Sequence, residues 1–319
     1  MILSVSRRTD IPAYYAAWFM NRLREGYVLV RNPMNYHQIS QVNLSPELID
    51  CIVFWTKDAA PLIPCIEDIS ARYPFYVQYT LNGYDPDIEV SVPAYQEKIG
   101  TFQSLSKKIG KERVIWRYDP ILLSPKYTLS WHVERFRALA SALEGYTSKC
   151  VFSFIDIYDK VKSNIRSEGI RACTTEEMNL IAEQLASIAQ AHQLTLQTCA
   201  EEIDLNRFGI KHGSCIDGAL IEKLIGCKLS VRKDANQRSE CGCVESIDIG
   251  QYNTCRHGCK YCYANFNQGS VRTFCGLHSD DSPLLIGNVE PEDKVTPRRN
   301  MKSCRLSSGN EAQLSMNLW

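Results

Sequence analysis

Short apolar runs alternate with longer amphipathic stretches along most of the chain. The runs are rich in Val, Ile, Phe and Tyr and are too short to be helices, which favours strands. Several are apolar at successive positions, as in strands that are buried on both faces. The predicted strands are Ile2–Ser6, Cys51–Trp55, Phe75–Thr80, Val114–Tyr118, Val151–Ile155, Leu194–Thr198 and Ile247–Ile249.

Helical patterns lie between these strands. Asp10 can cap a helix that runs to about Glu25, and Thr174 with Glu177 forms a capping box before another apolar stripe. Strands that alternate with helices predict parallel βα units. We therefore expect an α/β fold, a TIM-like (β/α) barrel, whose active site lies at the carboxyl ends of the strands.

The expected organisation is a single domain over residues 1–319. It consists of βα units over 1–240, a cluster-binding segment over 241–267 and an irregular C-terminal cover over 268–319. The 36 basic and 36 acidic residues cancel, so nucleic acid is not indicated as a partner. No apolar run is long enough to cross a membrane, and the N-terminus lacks the layout of a signal peptide. These features predict a cytoplasmic protein.

Cysteine is the unusual component of the composition. The chain has 14 cysteines, and eight of them fall between Cys199 and Cys262. In a reducing compartment, clustered cysteines are more often metal ligands than disulfides. Core packing is the expected role of Cys51, Cys65, Cys150, Cys173 and Cys227, and the roles of Cys275 and Cys304 stay open.

The sharpest motif is YNTCRHGCKYCYAN, residues 252–265, with cysteines spaced C-x3-C-x2-C. Three thiolates leave one iron of a [4Fe–4S] cluster without a protein ligand, free to chelate S-adenosylmethionine (SAM). The motif resembles the signature of the radical SAM superfamily, and Tyr261 is the aromatic residue before the third cysteine. The resemblance implies a cluster on Cys255, Cys259 and Cys262. The alternative is a zinc site completed by His257 or another cysteine.

Three other segments resemble strands of spore photoproduct lyase and its relatives, namely FWTKDAAPLI (54–63), YTLNGYDPDIE (79–89) and RYDPILLS (117–124). The resemblance implies that Thr56, Lys57 and Tyr261 lie near SAM. It also implies that Arg117 and Asp119 hold the SAM carboxylate and ribose.

The cysteine motif normally follows the first strand of such a barrel, whereas here it follows the last predicted strand. This difference predicts a circular permutation, because the first and last strands of a barrel are neighbours. The strand at Ser246–Gly250 should then lie beside Ile2–Ser6. The whole chain also resembles an uncharacterised bacterial family with a radical-SAM-like cysteine cluster near the C-terminus.

A second group of cysteines lies upstream of the motif. Cys199, Cys215, Cys241 and Cys243 are surrounded by Gly, Ser, Glu and Asp, unlike core cysteines. These four thiols predict a second [4Fe–4S] cluster or a zinc site, with simple burial as the alternative.

The resulting hypothesis is a radical SAM enzyme that cleaves SAM reductively and abstracts hydrogen from an unknown substrate. Its electron donor would be a protein such as flavodoxin or ferredoxin. Arg7, Arg8 and Asp10 are candidates for substrate binding, and an arginine pair would favour an anionic substrate. The alternatives are a non-catalytic zinc or iron–sulfur module and a DNA-repair lyase related to spore photoproduct lyase.

Overall fold

The computed structural model describes residues 1–306. Its strands are β1 (Ile2–Val5), β2 (Tyr27–Asn32), β3 (Asn35–Asn43), β4 (Cys51–Thr56), β5 (Phe75–Thr80), β6 (Val114–Ile121), β7 (Lys149–Phe154), β8 (Thr195–Thr198), β9 (Lys211–His212), β10 (Ile247–Asp248) and β11 (Lys294–Pro297). Each of the predicted strands is present, with ends that shift by three residues or fewer.

The helices are α1 (Ile11–Tyr14), α2 (Ala16–Glu25), α3 (Ile66–Ser70), α4 (Tyr95–Ile109), α5 (Leu129–Ala142), α6 (Lys162–Ile165), α7 (Thr175–Ala191), α8 (Gly218–Ile225) and α9 (Gln268–Gly276). The capping box of Thr174 and Glu177 at the start of α7 is confirmed. The helix expected from Asp10 to Glu25 is instead two helices, because the backbone of Tyr15 leaves helical geometry between them.

Eight strands form one parallel sheet in the order β10-β1-β4-β5-β6-β7-β8-β9. Neighbours in this sheet follow the order of the chain without a reversal, apart from β10, which pairs with the outer side of β1. Leu3 lies opposite Ile247 and Ser4 opposite Asp248, which confirms that the first and the last of the predicted strands are neighbours. Within residues 1–306, β9 and β10 do not pair with each other, so the hydrogen-bonded sheet is open there.

The two faces of the sheet have different covers. Alternate strand residues such as Ile52, Phe54 and Trp116 pack against the helices in the main core. Their neighbours Val53 and Ile115 face the other way and pack against the segment that contains α8. Because side chains alternate along a strand, Arg117 and Asp119 project from the same face of β6 as Ile115. The polar residues at the carboxyl end of β6 therefore lie on the same face of the sheet as this apolar layer.

A second, smaller sheet was absent from the sequence prediction. It has the order β11-β3-β2, in which β2 and β3 are antiparallel. The segment 268–319 was expected to be irregular, but it contributes α9 and β11. Residues 307–319 of that segment lie outside the described residues. Polar side chains dominate β3 and β11, and this hid their strand character from the periodicity.

Candidate functional site

A cavity of about 430 Å³ lies at the carboxyl ends of the parallel strands. Every residue predicted to bind a metal or a cofactor lines this cavity. They are Thr56, Lys57, Arg117, Asp119, Cys199, Cys215, Cys241, Cys243, Cys255, Cys259, Tyr261 and Cys262. Residues up to about 200 positions apart in the sequence thus line one cavity, as expected at the carboxyl edge of a parallel α/β sheet.

Cys255, Cys259 and Cys262, hereafter the first cysteine group, lie in one loop between β10 and α9. Asn265 holds the loop closed, because its side-chain oxygen accepts hydrogen bonds from the backbone N–H groups of Thr254 and Cys255, each at 2.8 Å. Gly258 has a φ of 66°, a left-handed conformation that favours glycine. The loop docks on the segment after β5, where the N–H of Lys260 donates to the carbonyl of Ile88 at 3.0 Å.

His257 lies within the first cysteine loop and is buried, with 3% of its surface exposed. Its Nε2 lies 2.8 Å from a carboxylate oxygen of Asp10, and its Nδ1 lies 2.9 Å from the hydroxyl of Tyr14. Both ring nitrogens therefore have partners already. This arrangement ties the loop to α1 and disfavours the zinc site that His257 would complete.

A buried ion network supports the first cysteine group. Glu89 accepts from Lys57 Nζ at 2.7 Å and from the hydroxyl of Tyr261 at 2.5 Å, and Lys98 Nζ approaches its other oxygen at 3.3 Å. Burial alone would raise the pKa of Glu89, but the two ammonium groups lower it to about 2. Burial would lower the pKa of Lys57, but Glu89, with smaller contributions from Cys259 and Asp119, raises it overall. Thr56 turns inward to accept from the N–H of Asp58 at 2.9 Å.

The sequence prediction assigned no role to Glu89 or Lys98. Glu89 ends the segment 79–89 that was singled out by resemblance, but nothing in the sequence indicated its partners. Lys98 offered a signal, because it lies three residues after Tyr95 and four before Phe102 on the apolar side of α4. A lysine in such a stripe is expected to find a buried carboxylate.

Arg117 and Asp119 lie on a different part of the wall. Arg117 pairs with Asp119, donates to the sulfur of Cys215 at 2.6 Å and lies over the ring of Trp55 at 5.2 Å. Asp119 also accepts from the hydroxyl of Ser153. Burial would raise the pKa of Asp119, but Arg117 and the Ser153 hydroxyl, with a contribution from Lys57, lower it overall. These contacts place Arg117 beside Cys215 rather than beside the first cysteine group.

Cys199, Cys215, Cys241 and Cys243, hereafter the second cysteine group, come together on the same face of the sheet. The sulfurs of Cys199 and Cys215 lie 3.0 Å apart. The Cys215 side chain also contacts that of Cys243, which in turn contacts that of Cys241.

Of the cysteines expected to pack in the core, Cys51, Cys150 and Cys173 are buried, whereas Cys65 and Cys227 are only half-buried.

The substrate-binding candidates have partners within the protein. Arg7 and Arg8 lie near Asp248, each with a nitrogen 4.0 Å from one of its oxygens, and Arg7 also contacts Asp234 at 3.5 Å. Asp10 caps α1 and accepts from the N–H of Lys57 at 2.7 Å. All three line the cavity, but their charges are largely balanced within the wall.

A family profile described as a domain of unknown function, DUF1848, matches residues 2–264. The chain belongs to the DUF1848 family. The matched region includes the parallel sheet and both cysteine groups. No curated protein matches this DUF1848 chain. Among residues 1–306, no helix has the length and apolar character that a membrane crossing requires.

Proposed function

We propose that this DUF1848 protein is a radical SAM enzyme whose [4Fe–4S] cluster is held by the first cysteine group. The observation that carries the proposal is the donor set. One loop presents three thiols to a cavity, and the histidine of that loop has both nitrogens engaged elsewhere. When bound, such a cluster offers SAM one iron without a protein ligand, together with the electron that cleaves a C–S bond of the sulfonium.

The arrangement of the strands supports a permuted barrel. The strand order follows the chain, and the strand before the cysteine loop pairs with the N-terminal strand. In a barrel that begins at β10, the cysteine loop would follow the first strand. The loop would then stand at the carboxyl edge, where barrel enzymes place their active sites.

The cavity residues can bind and orient a cationic, amino-acid-bearing cofactor. A volume of about 430 Å³ falls in the range of small-molecule sites. Lys57 lies 5.6 Å from the ring centre of Tyr261, and both are fixed by Glu89 beside the cysteine loop. We assign Lys57, Thr56 and Tyr261 to the wall that positions SAM. Arg117 and Asp119 would contact it only from the other side of the cavity.

The test is anaerobic reconstitution with iron and sulfide, reduction by dithionite, and an assay for 5′-deoxyadenosine and methionine after addition of SAM. The proposal predicts both products from the wild-type protein. A wild-type cluster that is intact and reduced, yet releases neither product, would favour a non-catalytic iron–sulfur module. Reduced flavodoxin or ferredoxin should replace dithionite if either is the electron donor.

A further inference from the structure

We infer that the second cysteine group is a second metal centre that faces the same cavity, a four-cysteine site for an iron–sulfur cluster or a zinc ion. The four thiols come from three separate places in the chain. Cys199 follows β8, Cys215 follows β9, and Cys241 with Cys243 precede β10. No short motif brings them together, and the fold alone does so.

The segments that carry these thiols are fixed by specific contacts. Two side chains of β5 reach the carbonyl of Cys215, namely the hydroxyl of Tyr76 at 2.6 Å and the amide of Gln78 at 2.8 Å. The N–H of Ile216 donates to the sulfur of Cys243 at 3.3 Å. The sulfurs are thus presented by a backbone anchored to the sheet, a feature of a built site rather than of casual packing.

Glycine at position 242 permits this convergence. A Cβ atom at Gly242 would lie 2.5 Å from the hydroxyl oxygen of Ser214 and 3.2 Å from the carbonyl of Gly213. A side chain at this position would displace the Ser214 hydroxyl, which donates to the Gly242 carbonyl at 2.8 Å, and would crowd the Gly213 carbonyl. Glycine thus keeps the C-x-C turn against the segment that carries Cys215.

A positive charge and a backbone N–H group lie against the sulfurs of this group. The guanidinium of Arg117 donates to Cys215 at 2.6 Å, and the Ile216 N–H donates to Cys243. A buried thiolate without a cation or a metal is costly, whereas a cluster with four thiolates carries a negative charge that Arg117 can balance. Arg117 also shares its charge with Asp119, which keeps the guanidinium in a fixed orientation.

The thiols form a chain of contacts rather than a compact set. Neighbouring sulfurs touch in the sequence Cys199, Cys215, Cys243 and Cys241, but across residues 1–306 no three cysteine sulfurs lie within 4.8 Å of one another. A tetrahedral zinc ion with Zn–S bonds of about 2.3 Å would bring all of its sulfurs to about 3.8 Å of each other. A cubane cluster would instead move the touching pairs apart, so metal analysis decides between the two.

The experiment measures metal content in two reconstituted variants and the wild type. The triple variant Cys255→Ala, Cys259→Ala, Cys262→Ala removes the first cysteine group, and the double variant Cys241→Ala, Cys243→Ala removes half of the second. The proposal predicts about eight irons per wild-type chain if the second centre is a cluster, or about four irons and one zinc if it is a zinc site. The double variant should lose the second centre, and the triple variant should keep it, as about four irons with the Mössbauer spectrum of a [4Fe–4S] centre or as one zinc. Cys227→Ala, a half-buried cysteine outside both groups, is the matched control and should retain the metal content of the wild type.

The outcomes separate this proposal from the proposed function. A triple variant that keeps about four irons or one zinc supports the second metal centre even if the wild type never cleaves SAM. About four irons and no zinc in the wild type, or a Cys199–Cys215 disulfide without further metal, would overturn the second metal centre. Should the triple variant misfold, the iron count and Mössbauer spectrum of the wild type still decide between these outcomes.

Discussion

The two cysteine groups reach the same cavity by different routes. The first group is local, since eight consecutive residues carry all three thiols and one side chain, Asn265, closes the loop. The second group is assembled from three segments that span 44 positions, from Cys199 to Cys243. A basic side chain, Arg117, contacts this group directly. Near the first group, Lys57 is already committed to Glu89.

This contrast indicates a division of roles. Three thiols with no fourth thiol or free imidazole in their loop suit a cluster that must bind a further molecule. Four thiols with a neighbouring guanidinium suit a metal centre whose coordination is complete. The following predictions separate the two groups, and they are ordered from the largest expected effect to the smallest.

The largest difference should lie in SAM cleavage. Cys259→Ala removes one of three ligands, so release of 5′-deoxyadenosine should fall to background. The double variant Cys241→Ala, Cys243→Ala leaves the first group intact and should still cleave SAM in a dithionite-driven assay. Product is measured by chromatography under anaerobic conditions, with Cys65→Ala as the control. Equal loss of cleavage in the two variants would mean that the groups do not have separate roles.

The network beneath the first group should be the most sensitive to loss of a single charge. Glu89→Gln leaves the ammonium groups of Lys57 and Lys98 without their carboxylate, and Lys98 is only 2% exposed. Breaking a buried pair in this way costs about 3–5 kcal/mol of unfolding free energy. Denaturant titration measures the change, and Glu67→Gln, at an exposed pair with Lys108, is the control with little effect. A cost below about 1 kcal/mol for Glu89→Gln would contradict the network's role.

Acid should weaken the wall that carries Arg117. His132 is buried between the hydroxyl of Tyr118 at 2.8 Å and the carbonyl of Leu122 at 2.7 Å, and burial lowers its pKa to about 4. In the unfolded chain the imidazole binds its proton near pH 6.5, so the unfolded state gains protons first as the pH falls. The stability present above about pH 6.5 is then lost towards pH 4, by an amount on the order of 3 kcal/mol.

His132→Gln should flatten this part of the stability curve, measured by denaturant titration from pH 7 to pH 4. The control is His192→Gln, because His192 lies at the end of α7 beside the exposed Glu144. An unchanged slope in His132→Gln would show that His132 is not the group responsible.

The smallest effect concerns the backbone of the second group. Gly242→Ala introduces a Cβ atom 2.5 Å from Ser214 Oγ, so the Ser214 hydroxyl must leave its hydrogen bond to the Gly242 carbonyl or the C-x-C turn must shift away from Cys215. Overpacking of this kind costs about 1–3 kcal/mol, and the second group should lose metal while the first retains it. Gly100→Ala in α4 meets open space and should be neutral or stabilising. Full metal content in Gly242→Ala would show that the close approach is not required.

The sequence predicted the parallel sheet well because its strands are buried on both faces and therefore read as continuous apolar runs. The pairing of β10 with β1 followed from the position of the cysteine motif in the chain. The small sheet was missed because β3 and β11 are mostly exposed and polar. Exposed strands leave no periodic pattern of apolar residues in the sequence. Pairing with residues distant in the chain determines these strands instead.

The candidate site shows the same limit. A motif of spaced cysteines is visible in the sequence because its ligands share one loop. The roles of Glu89 and Lys98 were not visible, because their contacts depend on how β5, α4 and the cysteine loop meet in space. Arg117 was predicted at the cavity, but its contact with Cys215 depends on a segment almost 100 positions away.

The most direct test of the contrast between the groups is electron paramagnetic resonance of the reduced protein, recorded with and without SAM. The double variant Cys241→Ala, Cys243→Ala isolates the first group, and the triple variant Cys255→Ala, Cys259→Ala, Cys262→Ala isolates the second. We predict that SAM changes the spectrum of the first group, where the proposed cluster would have an iron without a protein ligand, and leaves any signal of the second group unchanged. A first-group spectrum that does not respond to SAM at saturating concentration would contradict the central claim.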